Sequence, residues 1–213
     1  KILKKPQTIK AALIGFSSIE DGGRCVSDII ASGIIPSGME MMDKALIHAT
    51  DNFVKAGYSR DAESMLIVEL DGTKKEVEEL IERVNNIAKK NKSSSIKTSK
   101  NERQRLKFWA GRKAAFPACG DMAPDYYCMD GTIPRRKLAE VLKEIGRLSK
   151  KYNLPVANAF HAGDGNLHPL IMYDANEKNS LERTEKFGAD ILKYCVKVGG
   201  VLTGEHGVGV EKR

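Results

Sequence analysis

The chain has 213 residues, 41% of them hydrophobic and 30% charged, which suits one globular domain or two small ones and excludes wholesale disorder. No apolar run approaches the ~18–20 residues of a membrane-spanning helix, and no charged-then-apolar leader opens the chain. The formal charge of +7 is local, because ten Lys and Arg residues between positions 89 and 113 face only Glu102, and the remainder is slightly acidic.

That stripe could attract phosphates, an acidic lipid surface or an acidic protein. Phe108 and Trp109 are the only aromatics interleaved with it. No nucleic-acid motif accompanies them, so no nucleic acid is expected, and the plainer reading is a solvated helix start and linker. The four cysteines, Cys25, Cys119, Cys128 and Cys195, have no C-x-x-C spacing and read as reduced core thiols, which favours a cytoplasmic origin. The sequence opens in a basic stretch and stops just after a glycine-punctuated motif, so it reads as a fragment.

In chain order, residues 11–16 form a short apolar run that predicts a strand, and residues 20–31 carry Val26, Ile29 and Ile30 at helical spacing before Ser32-Gly33. Residues 39–42 read as extended, and Ala45, Leu46, Ala49 and Phe53 follow at helical offsets. Residues 65–70 are the clearest strand. Thr73 and Glu76 then have the spacing of a capping box, and Val77, Leu80, Ile81, Val84 and Ala88 form one apolar stripe. The Ser/Lys-rich residues 93–99 suit either a polar edge strand or a linker.

A helix is expected over residues 101–115, with Leu106, Trp109 and Ala110 on one face. Residues 126–129 suggest a strand, and Pro134 opens a helix whose stripe is Leu138, Val141, Leu142, Ile145 and Leu148. Residues 156–160 and 170–173 predict paired strands, and a last helix covers residues 177–198. Strand, helix, strand, strand, helix, strand thus occurs roughly twice. The expected class is α+β: a ferredoxin-like split βαβ sandwich with helices over one face of a largely antiparallel sheet. No G-x-G-x-x-G follows the first strand, which argues against a dinucleotide-binding Rossmann unit, and no P-loop is present.

The chemistry concentrates near the C-terminus. Residues 161–168, HAGDGNLH, put His161 and His168 at either end of a glycine-rich turn, and Asp-Gly is a strong reversal signal. If the chain doubles back there, the two imidazoles converge. Gly204-Glu205-His206-Gly207 brings a carboxylate and a third histidine. Two imidazoles and a carboxylate form a common ligand set for a catalytic divalent metal, although a purely structural hairpin would explain the first pair equally well. His48, on a helix face, reads as structural. Arg112 is a natural bidentate partner for a carboxylate, or else one more member of the basic stripe. Taken alone, these residues leave three classes open: an oxidoreductase, a metal-dependent hydrolase, and a basic binding module.

Three motifs, HAGDGNLHP (161–169), LTGEHGVG (202–209) and YYCMDGTIP (126–134), resemble the C-terminal domain of the FAD-linked oxidases, the group of the glycolate oxidase FAD-linked subunit and the D-lactate dehydrogenases. The resemblance spans nearly the whole chain. It implies that residues 1–213 are the substrate or cap domain, a fragment lacking a preceding FAD-binding domain and a C-terminal tail, and inactive by itself. It implies His161, His168 and Glu205 as ligands of a divalent metal (zinc, iron or manganese), His206 as the base and Arg112 as the carboxylate anchor. The implied reaction is oxidation of a small 2-hydroxy acid, glycolate or D-lactate, to the 2-oxo acid with hydride transfer to FAD. Relatives acting on 2-hydroxyglutarate carry polar anchors where this chain has Phe116 and Cys128, which favours a small substrate. Further subunits, including an iron–sulfur subunit, are implied as partners, at the cytoplasmic inner face of the membrane.

Overall fold

The computed structural model describes residues 5–210 and Lys212. The first half contains β1 (Thr8–Phe16), α1 (Ile19–Ala31), β2 (Gly38–Asp43), α2 (Lys44–Val54), β3 (Ser64–Gly72), α3 (Lys74–Lys90), β4 (Ser93–Thr98), α4 (Glu102–Lys113) and the short α5 (Ala115–Cys119). The second half contains β5 (Asp125–Cys128), β6 (Gly131–Thr132), a 3-10 turn (Arg135–Lys137), α6 (Leu138–Tyr152), β7 (Val156–His161), β8 (Asn166–Tyr173) and α7 (Ser180–Lys197).

These strands form one eight-stranded sheet in the order β4-β1-β3-β2-β7-β8-β5, with β6 also on β8. Every pairing is antiparallel. The order β4-β1-β3-β2 is a complete split βαβ unit, because β3 lies between two strands joined through α1. The second half repeats the device, with β8 between β5 and β7 and α6 as the crossover. Its fourth strand shrinks to a single bridge between Thr132 and Val201. The two units join edge to edge where Glu40, Met41 and Met42 pair with His161, Phe160 and Ala159.

Local signals agree with the elements. Ser18 accepts from the Asp21 amide at the start of α1, and Thr73 and Glu76 make the reciprocal capping box of α3. The Ser/Lys patch is the edge strand β4, where lysine and serine discourage pairing with another chain. His48 is structural, with Nε2 2.7 Å from the Arg60 carbonyl.

Two expectations change. Helices cover both faces rather than one: α1, α3, α6 and α7 pack over Ile14, Met41, Leu66, Phe160 and Ile171, while α2, α4 and α5 pack over Leu13, Met42, Ile67, Ala159 and Leu170. The continuous apolar runs in β1 and β3 follow from this, since neither face meets water. In α4, Phe108 and Gly111 are the buried positions and Leu106 is 46% exposed. Trp109 instead donates its indole N–H to Glu69 at 2.6 Å. The helix forms where expected but turns a different face inward, because it lies on the second layer.

Asp43, the buried last residue of β2, caps α2 by accepting from the Leu46 amide at 3.0 Å. Its other oxygen accepts from the Asn158 amide at 3.0 Å and the Asn158 side chain at 2.7 Å on β7. Asp43→Ala should therefore lower stability by about 2–4 kcal/mol, through a lost cap and orphaned buried donors; the check is the urea midpoint at unchanged slope. Gly200 has no room for a Cβ, which would overlap the Thr132 carbonyl oxygen. Gly200→Ala should open the Thr132–Val201 bridge and speed hydrogen exchange at those two amides, leaving exchange in β1 and β3 slow.

Candidate active site

The β7–β8 hairpin positions two histidines. His161 ends β7 opposite Asn166, and Ala159 lies opposite His168, so the pleat puts both imidazoles on the face that carries Ala157, Ala159 and Leu170. The turn depends on Gly165, which has φ +83° and leaves no space for a Cβ beside the Ile133 carbonyl. The same face brings in Glu40, paired with His161 across β2–β7, and Cys128, paired with Leu170 across β5–β8. The rings of His161 and His168 meet edge to face with centroids 5.0 Å apart.

Glu205 and His206 arrive on an irregular loop that Asp130 organises. The Asp130 carboxylate, 1% exposed, accepts from Thr203 Oγ1 at 2.6 Å, the Gly204 amide at 3.0 Å and the His206 amide at 2.9 Å. Lys212 Nζ lies 3.2 Å away. Burial alone would raise the Asp130 pKa, but these donors outweigh it and hold the carboxyl well below the usual range. Glu205 Oε1 then sits 3.0 Å from His168 Nε2, 3.5 Å from His161 Nε2 and 3.4 Å from His206 Nε2. His206 stacks on His168, with centroids 5.1 Å apart and planes 18° apart.

The electrostatics differ between the two hairpin histidines. The hydrogen bond to Glu40 raises the His161 pKa against opposing burial. Burial, reinforced by His161, lowers the pKa of His168, which is 2% exposed and whose Nδ1 has no hydrogen-bond partner. A buried, neutral imidazole whose Nε2 faces a carboxylate is a fitting donor for a cation. One donor atom each from His161, His168 and Glu205 falls within a 4.8 Å span, as does a set from Cys128, His168 and His206. The Cys128 thiol is itself pushed up to about 12, chiefly by burial and then by Asp130.

Arg112, in the last turn of α4, reaches the same rim. Its Nε donates to Glu40 Oε2 at 2.9 Å, with Nη2 also at 2.9 Å from that oxygen. Elsewhere in the basic stripe Arg105 pairs with Glu69 and Glu102. The structure thus brings together all five residues singled out from the sequence: His161, His168, Glu205, His206 and Arg112. It adds Glu40 and Asp130, which the sequence reading missed. In the sequence Asp130 is one residue of the YYCMDGTIP motif, with no role assigned to it, and Glu40 is the one charged residue of the extended stretch 39–42.

Residues 5–213 match the model of the family described as FAD linked oxidases, C-terminal domain. The chain is 54% identical over 212 residues to the glycolate oxidase subunit GlcD of Escherichia coli K12, covering 100% of this chain and 42% of that protein. It is 28% identical over 214 residues to the mitochondrial D-lactate dehydrogenase [cytochrome] of Arabidopsis thaliana, covering 100% of this chain and 37% of the relative. Among solved structures, p-cresol methylhydroxylase with substrate bound superposes with a TM-score of 0.72 at 16% identity, over 94% of this chain and 46% of that one, which shows the shared fold. The chain spans under half the length of these relatives. With the split βαβ pair, the histidine hairpin and the Glu-His loop all in place, the chain belongs to the FAD linked oxidase C-terminal domain family.

Proposed function

We propose that this domain supplies the substrate side of a flavin-dependent oxidation of a small 2-hydroxy acid, glycolate or D-lactate, to the 2-oxo acid. The observation that carries this reading is the convergence of His161 Nε2, His168 Nε2, Glu205 Oε1, His206 and the Arg112 guanidinium on one rim. That rim is half open: Glu205 and His206 side chains are 49% and 48% exposed, and among the described residues nothing but its chain neighbours lies within 4 Å of where a Cβ would stand on Gly207. Such an opening fits a flavin ring held mainly by a separate FAD-binding domain. FAD, when bound, accepts the hydride released from the substrate Cα.

His161, His168 and Glu205 would hold a divalent cation, zinc, iron or manganese, which supplies Lewis acidity toward the substrate hydroxyl. Arg112 binds the substrate carboxylate through the guanidinium edge that Glu40 leaves free. His206 removes the hydroxyl proton as the C–H bond breaks, so the substrate loses a hydride and a proton and becomes the 2-oxo acid. Buried His168 stacks against the His206 ring and limits its rotation. Phe116 packs against Tyr126 with ring centroids 6.0 Å apart, and neither it nor Cys128 carries a charge to anchor a second carboxylate.

The word subunit in the name of the 54% relative supports assembly with further subunits, an iron–sulfur subunit among them in this reading. Four free cysteines suit a reducing compartment, and we place the protein in the cytoplasm or at the inner face of the membrane. No helix among the described residues is long and apolar enough to cross a membrane.

Elemental analysis should find about one divalent cation per chain if a single cation occupies this three-ligand site. His161→Ala and Glu205→Ala should both lose it, and retention in both would remove the metal from the reading. His206→Ala should keep the cation yet lower kcat by about 10²–10⁴-fold, the usual contribution of a general base. In the flavin-loaded enzyme, turnover of glycolate or D-lactate should exceed that of D-2-hydroxyglutarate; the reverse preference would overturn the small-substrate assignment.

A further inference from the structure

Glu40 lies on β2, in the half of the molecule that contributes none of the His161, His168, Glu205 and His206 cluster, yet it touches two members of the site. Its Oε1 accepts a hydrogen bond from His161 Nδ1 at 2.7 Å, and its Oε2 accepts from Arg112 Nε at 2.9 Å. The Glu40 and Arg112 side chains are 13% and 11% exposed, so water competes little for these contacts. We infer that Glu40 is a positioning residue that fixes both the ring nitrogen His161 offers to the site and the plane in which Arg112 meets its ligand.

The chemistry is restrictive. A carboxylate only accepts, so His161 Nδ1 must carry the hydrogen, and in the neutral ring Nε2 is then the lone-pair nitrogen facing Glu205. Without Glu40 the imidazole is free to exchange tautomers and to rotate. Arg112 commits two of its nitrogens to the same carboxylate, which stops the guanidinium swinging and directs its remaining N–H groups outward. Glu40 also offsets the Arg112 charge, which would otherwise repel a cation at the neighbouring histidines. One side chain thereby couples the cation site to the carboxylate anchor. The consequences for catalysis rest on the oxidation reading above, whereas the tautomer and the fixed guanidinium do not.

The test compares the holoenzyme with its Glu40→Gln and Glu40→Asp variants, each first shown to be folded by circular dichroism. Three quantities are read: the imidazole 15N shifts of His161, identified with His161→Gln; the Kd for Zn²⁺ by chelator competition; and kcat and KM for glycolate. The expected wild type shows a single Nδ1–H tautomer. Glu40→Gln should show mixed tautomers, bind Zn²⁺ about 10–100-fold more weakly, and raise KM more than it lowers kcat, with Glu40→Asp recovering part of each. A purely structural ion pair would move the unfolding midpoint and none of these three. Wild-type tautomer, Zn²⁺ affinity and KM in folded Glu40→Gln would overturn the inference. If the wild type neither binds Zn²⁺ nor oxidises glycolate, the oxidation reading fails, and the tautomer comparison alone then decides the role of Glu40.

Discussion

The pairing of β2 with β7 is short, three residues on each strand, yet the rest of the molecule depends on it. A split βαβ unit ends in an open edge with unpaired backbone groups, and joining two such edges satisfies them and merges two small cores into larger ones. Two carboxylates of β2 reinforce the seam in different ways. Asp43 reaches Asn158 and caps α2, so breaking the seam also weakens a helix. Glu40 reaches His161, so the same seam aligns a site residue. Structural and functional constraints therefore fall on two residues only three positions apart in one strand.

A second constraint acts on the other side of the site. The loop bearing Glu205 and His206 has no regular structure of its own beyond the Thr132–Val201 bridge, and a loop without backbone partners would wander. Asp130 supplies the partner by gathering a hydroxyl and consecutive backbone amides onto one buried carboxylate. Ionic hydrogen bonds of this kind are stronger than neutral ones, and the low pKa of Asp130 reflects that gain. The cost is a buried charge, which Lys212 offsets. Gly204 completes the arrangement, because a Cβ there would overlap the Asn166 side chain.

Together the two carboxylates explain how a glycine-rich, half-exposed rim can be held in register. Glu40 fixes the site from the first half of the sheet and Asp130 from the second, while His168, buried between them, touches neighbours on both sides. The site is firm at its base and open above. That suits a domain whose relatives are more than twice its length.

Much of this was legible in the residues. Apolar periodicity and capping signals gave the strands and helices, since these depend on neighbours within a turn or a strand. The motifs at residues 161–168 and 204–207 singled out the side chains that meet on the rim, because three histidines and a glutamate stand there among glycines. Tertiary structure alone decided three things. The second helical layer follows from both faces of β1 and β3 being buried, which a short apolar run permits but does not require. The inward face of α4 was set by what it packs against, so Phe108 rather than Leu106 is buried. Glu40 meets His161 across 121 positions of chain and Asp130 meets Thr203 across 73, and contacts of that range depend on sheet register, which no local pattern of side chains encodes.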